Sequence, residues 1–136
     1  MSSFDQLLSS FSADSNTKGR QFEHFAKWYF ENDPAWMTTV ANVWLRKDYP
    51  DNWGADLGID LVCRMKNGED WAVQAKCYNE SYPVKKADMD SFLSESNRST
   101  IHGRVLIATT DYIGNNATNV INGQDKPVVK VLLQDL

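Results

Sequence analysis

The segment GADLGIDLVCRMKNGEDWAVQAKCY, residues 54–78, holds an aspartate, a glutamine and a lysine at a spacing that can bring them together: Asp60, Gln74 and Lys76. They offer a carboxylate, an amide and an ammonium with three donors and no acceptor. Such a set can do chemistry on an anionic group, or it can be a solvated face with one ordinary ion pair. Two details favour chemistry. Gly54-Ala55-Asp56-Leu57-Gly58 leads into Asp60, and its glycines let other groups approach the backbone closely. Asp60 and Lys76 also stand within apolar runs, where a charge needs a reason.

The element that must position them is a hairpin. Lys66-Asn67-Gly68 is a turn signal between two runs of alternating polarity. A three-residue loop ending in a left-handed residue suits Gly68. With that loop, residues opposite one another share parity, and Asp60 falls opposite Gln74. The odd face is then Ile59, Leu61, Cys63 and Met65 with Trp71, Val73, Ala75 and Cys77, apolar throughout and expected to pack on a core. The even face carries Asp60, Arg64, Gln74 and Lys76.

Gly58-Ile59-Asp60, a hairpin, then Gln74-Ala75-Lys76 resembles the PD-(D/E)XK nuclease superfamily in its Mrr-type restriction endonuclease branch, which has Gln in place of the second acidic residue. The order of elements along nearly the whole chain is similar too. At a finer level, the surroundings of WGADLGIDLVC resemble the N-terminal nuclease domain of type ISP restriction-modification enzymes. The resemblance implies an α/β, restriction-endonuclease-like core with a central mixed β-sheet flanked by helices. It also implies a DNA endonuclease using Mg²⁺, with Mn²⁺ as a substitute.

On the resemblance, Asp60, Gln74, the backbone carbonyl of Ala75 and Glu23 are the implied metal ligands. Glu23 is either that ligand, on a helix start resembling the family's at Gly19-Arg20-Gln21-Phe22-Glu23, or a plain surface helix former. Lys76 is expected to orient the attacking water and stabilise developing charge. Acting as a base would require a much lowered pKa. Asp56 competes with Asp60 for its role. Double-stranded DNA is the expected partner, with a helicase or translocase in the same polypeptide and transient dimerisation for double-strand cleavage. Two further readings compete: a DNA-binding or docking module that no longer cuts, and a protein-interaction domain whose polar cluster is structural.

Around the hairpin, Phe4, Leu7, Leu8 and Phe11 predict a short first helix, capped by Ser2 or Ser3. Phe22, Phe25, Ala26, Tyr29 and Phe30 predict a longer one from about Thr17 to Glu31, ended by Asn32-Asp33-Pro34. A strand is expected within 35–45, then a loop over 46–54 in which Arg46 and Lys47 are candidate DNA contacts. Tyr78 either stacks or bonds near phosphate or is an interfacial core residue. Residues 84–97 read as a helix opened by Lys85 and Lys86, which serve phosphate or are simply solvated. Residues 104–110 read as a buried central strand, 115–122 as a short helix and 128–133 as the last strand.

The length suits one domain: 1–17 an N-terminal helix and linker, 18–136 the core, and the whole a piece of a larger multidomain enzyme. No run of about 18 apolar residues exists, so no membrane span is expected, and a cytoplasmic protein with free thiols at Cys63 and Cys77 is. His24 and His102 lack triad partners and read as structural, and no zinc-like Cys/His spacing is present. The net charge is −4, with 14 basic against 18 acidic residues. Independent DNA binding draws on phosphate neutralisation by Lys and Arg, so this balance suits a nuclease brought to DNA by another domain.

Overall fold

In the computed structural model, which describes residues 3–51 and 58–136, five strands form one sheet in chain order. They are β1 (Val40–Leu45), β2 (Leu61–Met65), β3 (Asp70–Lys76), β4 (Ile101–Ala108) and β5 (Val128–Val131). The sheet is mixed: β1–β2 and β2–β3 are antiparallel, while β3–β4 and β4–β5 are parallel. Parallel neighbours need crossovers, and two helices supply them, α3 (Lys86–Glu95) and α4 (Asn115–Asn122). Helices α1 (Ser3–Ser9) and α2 (Ser15–Asn32) precede the sheet. This is the restriction-endonuclease-like α/β architecture expected from the sequence. Among the described residues no helix is long and apolar enough to cross a membrane.

The β2–β3 hairpin forms in the expected register. Leu61 pairs with Val73 and Cys63 with Trp71, and the Asp60 N–H donates to the Val73 carbonyl at 2.9 Å. Gly68 closes the loop at φ +91°, a conformation that costs a side-chain-bearing residue. The apolar odd face packs as expected: Leu61, Cys63 and Val73 lie under Phe22, Ala26 and Phe30 of α2. Fully burying side chains of this size stabilises by about 1.5–3 kcal/mol each. Phe30→Ala, which removes a ring with 0% exposure, would cost about 3–5 kcal/mol.

Two expectations for this hairpin need correction. Its even face is not an open polar surface, because Val62 and Ala72 are fully buried with Met89, Phe92 and Leu106. The parallel β3–β4 pairing brings α3 and α4 over that face, so the sheet is covered on both sides. Ile59 belongs to this second cluster and not to the α2 side. Strand alternation governs only from Leu61 onward, and Ile59 precedes the strand.

Helix boundaries follow their caps. Asp14 accepts the Thr17 N–H at 2.9 Å, so α2 starts at Ser15, two residues before the expected start. Helix α3 is shorter than expected, because Val84 is spent in a buried bridge to Ile113. Residues 46–48 form a 3-10 turn within the expected loop. Cys63 is buried and Cys77 half-buried, both as free thiols.

β4 contains a buried cation. Arg104 is 1% exposed, and its guanidinium donates to Ser96 Oγ at 3.0 Å, the Leu93 carbonyl at 3.1 Å and Gln124 Oε1 at 3.1 Å. All three acceptors are neutral and sit at the C-terminal ends of α3 and α4, where helix dipoles favour positive charge. Burial lowers its pKa from the usual arginine value.

Candidate active site

Asp60 sits immediately before β2 and lines a cleft of about 190 Å³ between α2 and the 46–48 turn. Glu23 lies in the same cleft. The buried stripe of Phe22, Ala26 and Phe30 fixes the rotation of α2, and that rotation carries residues 20, 23 and 24 to the cleft side. Arg46 and Lys47 form the facing wall, held by the Arg46 N–H donating to the Asp60 carbonyl at 2.9 Å. Arg46 is largely buried and is therefore part of the cleft wall, not a loose loop cation.

Asp60 is tied to the second strand of the hairpin. Its Oδ2 accepts the Ala75 N–H at 2.8 Å. Gln74 is 4% exposed, its Nε2 donates at 3.4 Å to the Gly58 carbonyl, and its Oε1 is buried with no hydrogen-bond partner among the described residues. Gly58 has φ +90°, and a Cβ there would meet the Phe92 nitrogen at 3.1 Å, so only glycine lets this backbone lie against α3. Lys76 is half-buried at the C-terminal end of β3, the end of a parallel strand where α/β sheets place their ligands. Asp56 and the rest of residues 54–57 lie outside the described residues, as does Ser2.

Of the candidates, Glu23, Asp60, Arg46 and Lys47 line this cleft; Gln74 and Lys76 do not, and Tyr78, Lys85 and Lys86 lie elsewhere too. The Tyr78 hydroxyl donates to Asp88 at 2.8 Å, and burial first, then that bond, raise its pKa. Asp88 also accepts the Lys85 N–H at 2.8 Å and so closes the start of α3. The Tyr78 hydroxyl is thus engaged within the fold, and its ring packs against the core. The Lys85 ammonium lies 5.1 Å from the Tyr82 ring centre, and Lys86 pairs with Asp90 at 3.1 Å; both lysines are exposed. Neither lysine lines the cleft.

Sequence reasoning missed Arg20 and His24, which line the cleft beside Glu23. Helical spacing was the available signal, since 20, 23 and 24 share a face once the apolar stripe is set. His24, read as structural, is exposed on the cleft wall, and His102 is exposed too.

The donor chemistry suits a hard divalent cation. Asp60 and Glu23 bring carboxylates, and the Gln74 oxygen is a buried acceptor lacking a donor, which natural structures rarely leave without a purpose. Among the described residues no three His, Cys, Asp or Glu side chains gather into a metal-holding group, so any such set needs the Gln74 amide or backbone oxygens.

With this geometry in place, similarity to known proteins is informative. Residues 31–136 match the Mrr_cat_2 model, described as a restriction endonuclease, and the chain belongs to that family. The match includes Asp60, Gln74 and Lys76 and leaves out Glu23. The chain is similar to the ATP-dependent type ISP restriction-modification enzyme LlaBIII, seen bound to DNA, at 30% identity and TM-score 0.82, covering 99% of this chain and 8% of that one. MspJI restriction endonuclease, in complex with a 27-mer oligonucleotide, superposes at TM-score 0.60 and 16% identity over 96% of this chain and 28% of that one. The DNA modification-dependent restriction endonuclease AspBHI does so at 0.53 and 16% over 99% and 36%. At 16% these two share the fold. No curated protein matches the chain.

Proposed function

We propose that this chain is a Mg²⁺-dependent DNA endonuclease domain that hydrolyses phosphodiester bonds as the cleavage module of a helicase-coupled restriction-modification enzyme. The observation that carries the metal-dependent reading is the Gln74 side-chain oxygen, buried beside the approach to Asp60 and without a hydrogen-bond donor among the described residues. Asp60, Gln74, the Ala75 carbonyl and Glu23 are the groups that would hold the ion. A bound Mg²⁺, or Mn²⁺ in its place, lowers the pKa of a bound water and polarises the phosphoryl oxygen. The Ala75 N–H holds the Asp60 carboxylate in one orientation. Lys76 donates to the attacking water and to charge developing on the phosphate, an electrostatic role for a positioned cation. Gln in place of a carboxylate leaves the site one negative charge short, so these residues alone would hold a divalent ion weakly.

The ATP-dependent LlaBIII was seen with DNA, and the chain covers 8% of that enzyme, which supports a module working inside a larger restriction-modification enzyme. The acidic balance of −4 fits the same reading, because the host then supplies most of the DNA affinity and the module only a local grip. Double-strand breaks then take two such domains paired transiently, each cutting one strand.

The test is a supercoiled-plasmid nicking assay with Mg²⁺, Mn²⁺ or chelator, comparing the parent with Asp60→Asn. Nicking by the parent with either ion, and its loss in the variant and in chelator, is the expected result. Nicking that persists in chelator refutes the metal dependence. Binding of DNA with no nicking under either ion makes the chain a non-cleaving docking module on this fold.

A further inference from the structure

The Asp60 cleft is richer in positive charge than the chain that forms it. Overall the chain has 14 basic and 18 acidic residues, yet three cationic side chains, Arg20, Arg46 and Lys47, line this cleft against two carboxylates, Glu23 and Asp60. The cations occupy opposite sides. Arg46 and Lys47 are on the turn that Asp60 holds through its carbonyl, and Arg20 is on α2. His24 stands one helical turn beyond Arg20 on the same face, and both are exposed while Glu23 between them is half-buried. The carboxylates therefore lie low, and the donors of α2 stand above them at the rim.

We propose that Arg20 and His24 form a phosphate-binding rim on α2 that seats the sugar-phosphate backbone of the strand to be cut across the Asp60 cleft. The inference rests on the DNA-cleavage reading and adds to it the surface that grips the substrate next to the cut. An arginine presents a rigid fork of donors matched to phosphate oxygens, and an imidazole N–H adds a single donor one turn away. Neither reads bases, so the rim is indifferent to sequence, as a module steered by other domains requires. Its grip is independent of the metal, because it comes from side chains outside the ligand set. Arg20 also interacts electrostatically with Asp14, the cap of α2, so a purely structural role is the competing account.

The experiment is a titration of the 136-residue chain with labelled short duplexes of two unrelated sequences, in chelator, over a series of salt concentrations. Arg20→Gln should weaken binding about 5- to 10-fold on both sequences at low salt and flatten the log–log salt dependence by about one unit. His24→Gln should weaken binding less than Arg20→Gln. Lys130→Gln removes the same charge from exposed β5, away from the cleft, and should bind as the parent does. Thermal unfolding separates structure from contact, since Arg20→Gln should melt within the range of the Lys130 variant.

Equal affinities for parent and Arg20→Gln, alongside plasmid nicking that Asp60→Asn abolishes, would overturn the rim and leave the nuclease reading standing. Equal losses in Arg20→Gln and Lys130→Gln would also overturn it, because general charge would then explain the effect. A parent that neither binds duplex nor nicks plasmid overturns both.

Discussion

The β2–β3 hairpin carries a polar cluster at each end, and the two differ in how completely their groups are satisfied. At the turn end, Asp70 is buried and both its oxygens are used. Arg64 donates to them at 2.8 and 2.9 Å, and the Tyr49 hydroxyl donates to Oδ2. The guanidinium also lies 5.1 Å from the Trp44 ring centre. At the other end Gln74, equally buried, keeps an acceptor without a donor. A closed network of this kind holds a fold together, while a buried polar atom left unsatisfied costs stability and calls for another reason to exist. One hairpin therefore holds a satisfied polar cluster at one end and an unsatisfied buried acceptor at the other, and sequence alternation alone treats the two ends alike.

The comparison breaks most visibly at Asp60. Asp60→Asn should lower nicking by about 10²–10³-fold or more while the melting temperature stays near that of the parent. The asparagine is preferable to alanine because it keeps an acceptor for the Ala75 N–H, which alanine would strand at a cost of about 1–3 kcal/mol. Gln74→Leu should cost about 10²-fold in nicking yet unfold at equal or higher urea, stabilised by up to about 1 kcal/mol, because it removes an unsatisfied acceptor. Nicking as fast as the parent would remove Gln74 from the site. Gln74→Glu should keep part of the activity and bind Mg²⁺ more tightly by calorimetry, since a hard cation prefers carboxylate.

Asp70→Asn should do the reverse, with nicking unchanged and stability at neutral pH lower by about 1–2 kcal/mol, a figure held down because Arg64 is a third exposed. Its pH dependence has a definite sign. Burial alone would raise the Asp70 carboxyl, but the Arg64 fork and the Tyr49 hydroxyl outweigh it and hold the pKa below the usual carboxylate value. The stabilisation is therefore present above the unfolded value of about 3.9 and is lost as pH falls through the lowered folded value. Urea midpoints of parent and variant should converge on acidification. Glu23→Gln should show the smallest effect, a loss of a few-fold in nicking. An unaltered rate would return Glu23 to the role of a surface helix former.

The hairpin was legible because one loop fixed it. Once Gly68 closes a three-residue turn, the pairs from Arg64 against Asp70 to Leu61 against Val73 follow, while Asp60, just before the strand, puts its N–H on the Val73 carbonyl and steps out of that register. Helix α4 was legible to the residue, between Gly114 and Gly123. What the sequence hid were long-range choices. Coverage of the even face depends on β3 pairing in parallel with a strand about thirty residues away, which no local pattern encodes. The partner of the Tyr78 hydroxyl, Asp88, lies ten residues on, on another element, where no local pattern points to it. Arg20 and His24 went unread because nothing in α2 says which of its polar faces meets another element.

Arg104 has a consequence for how the molecule opens. Because one guanidinium bonds the last turn of α3 and Gln124 just past α4, neither helix can detach without stranding a buried charge. In hydrogen-exchange terms the two helices are one cooperative unit, whose amides should open together and not fray singly. That unit includes the α3 backbone against which Gly58 lies, and the Gly58 carbonyl in turn holds the Gln74 amide. The packing of the Gln74 end of the hairpin is thus linked, through α3 and Gly58, to a charge buried in the neighbouring strand.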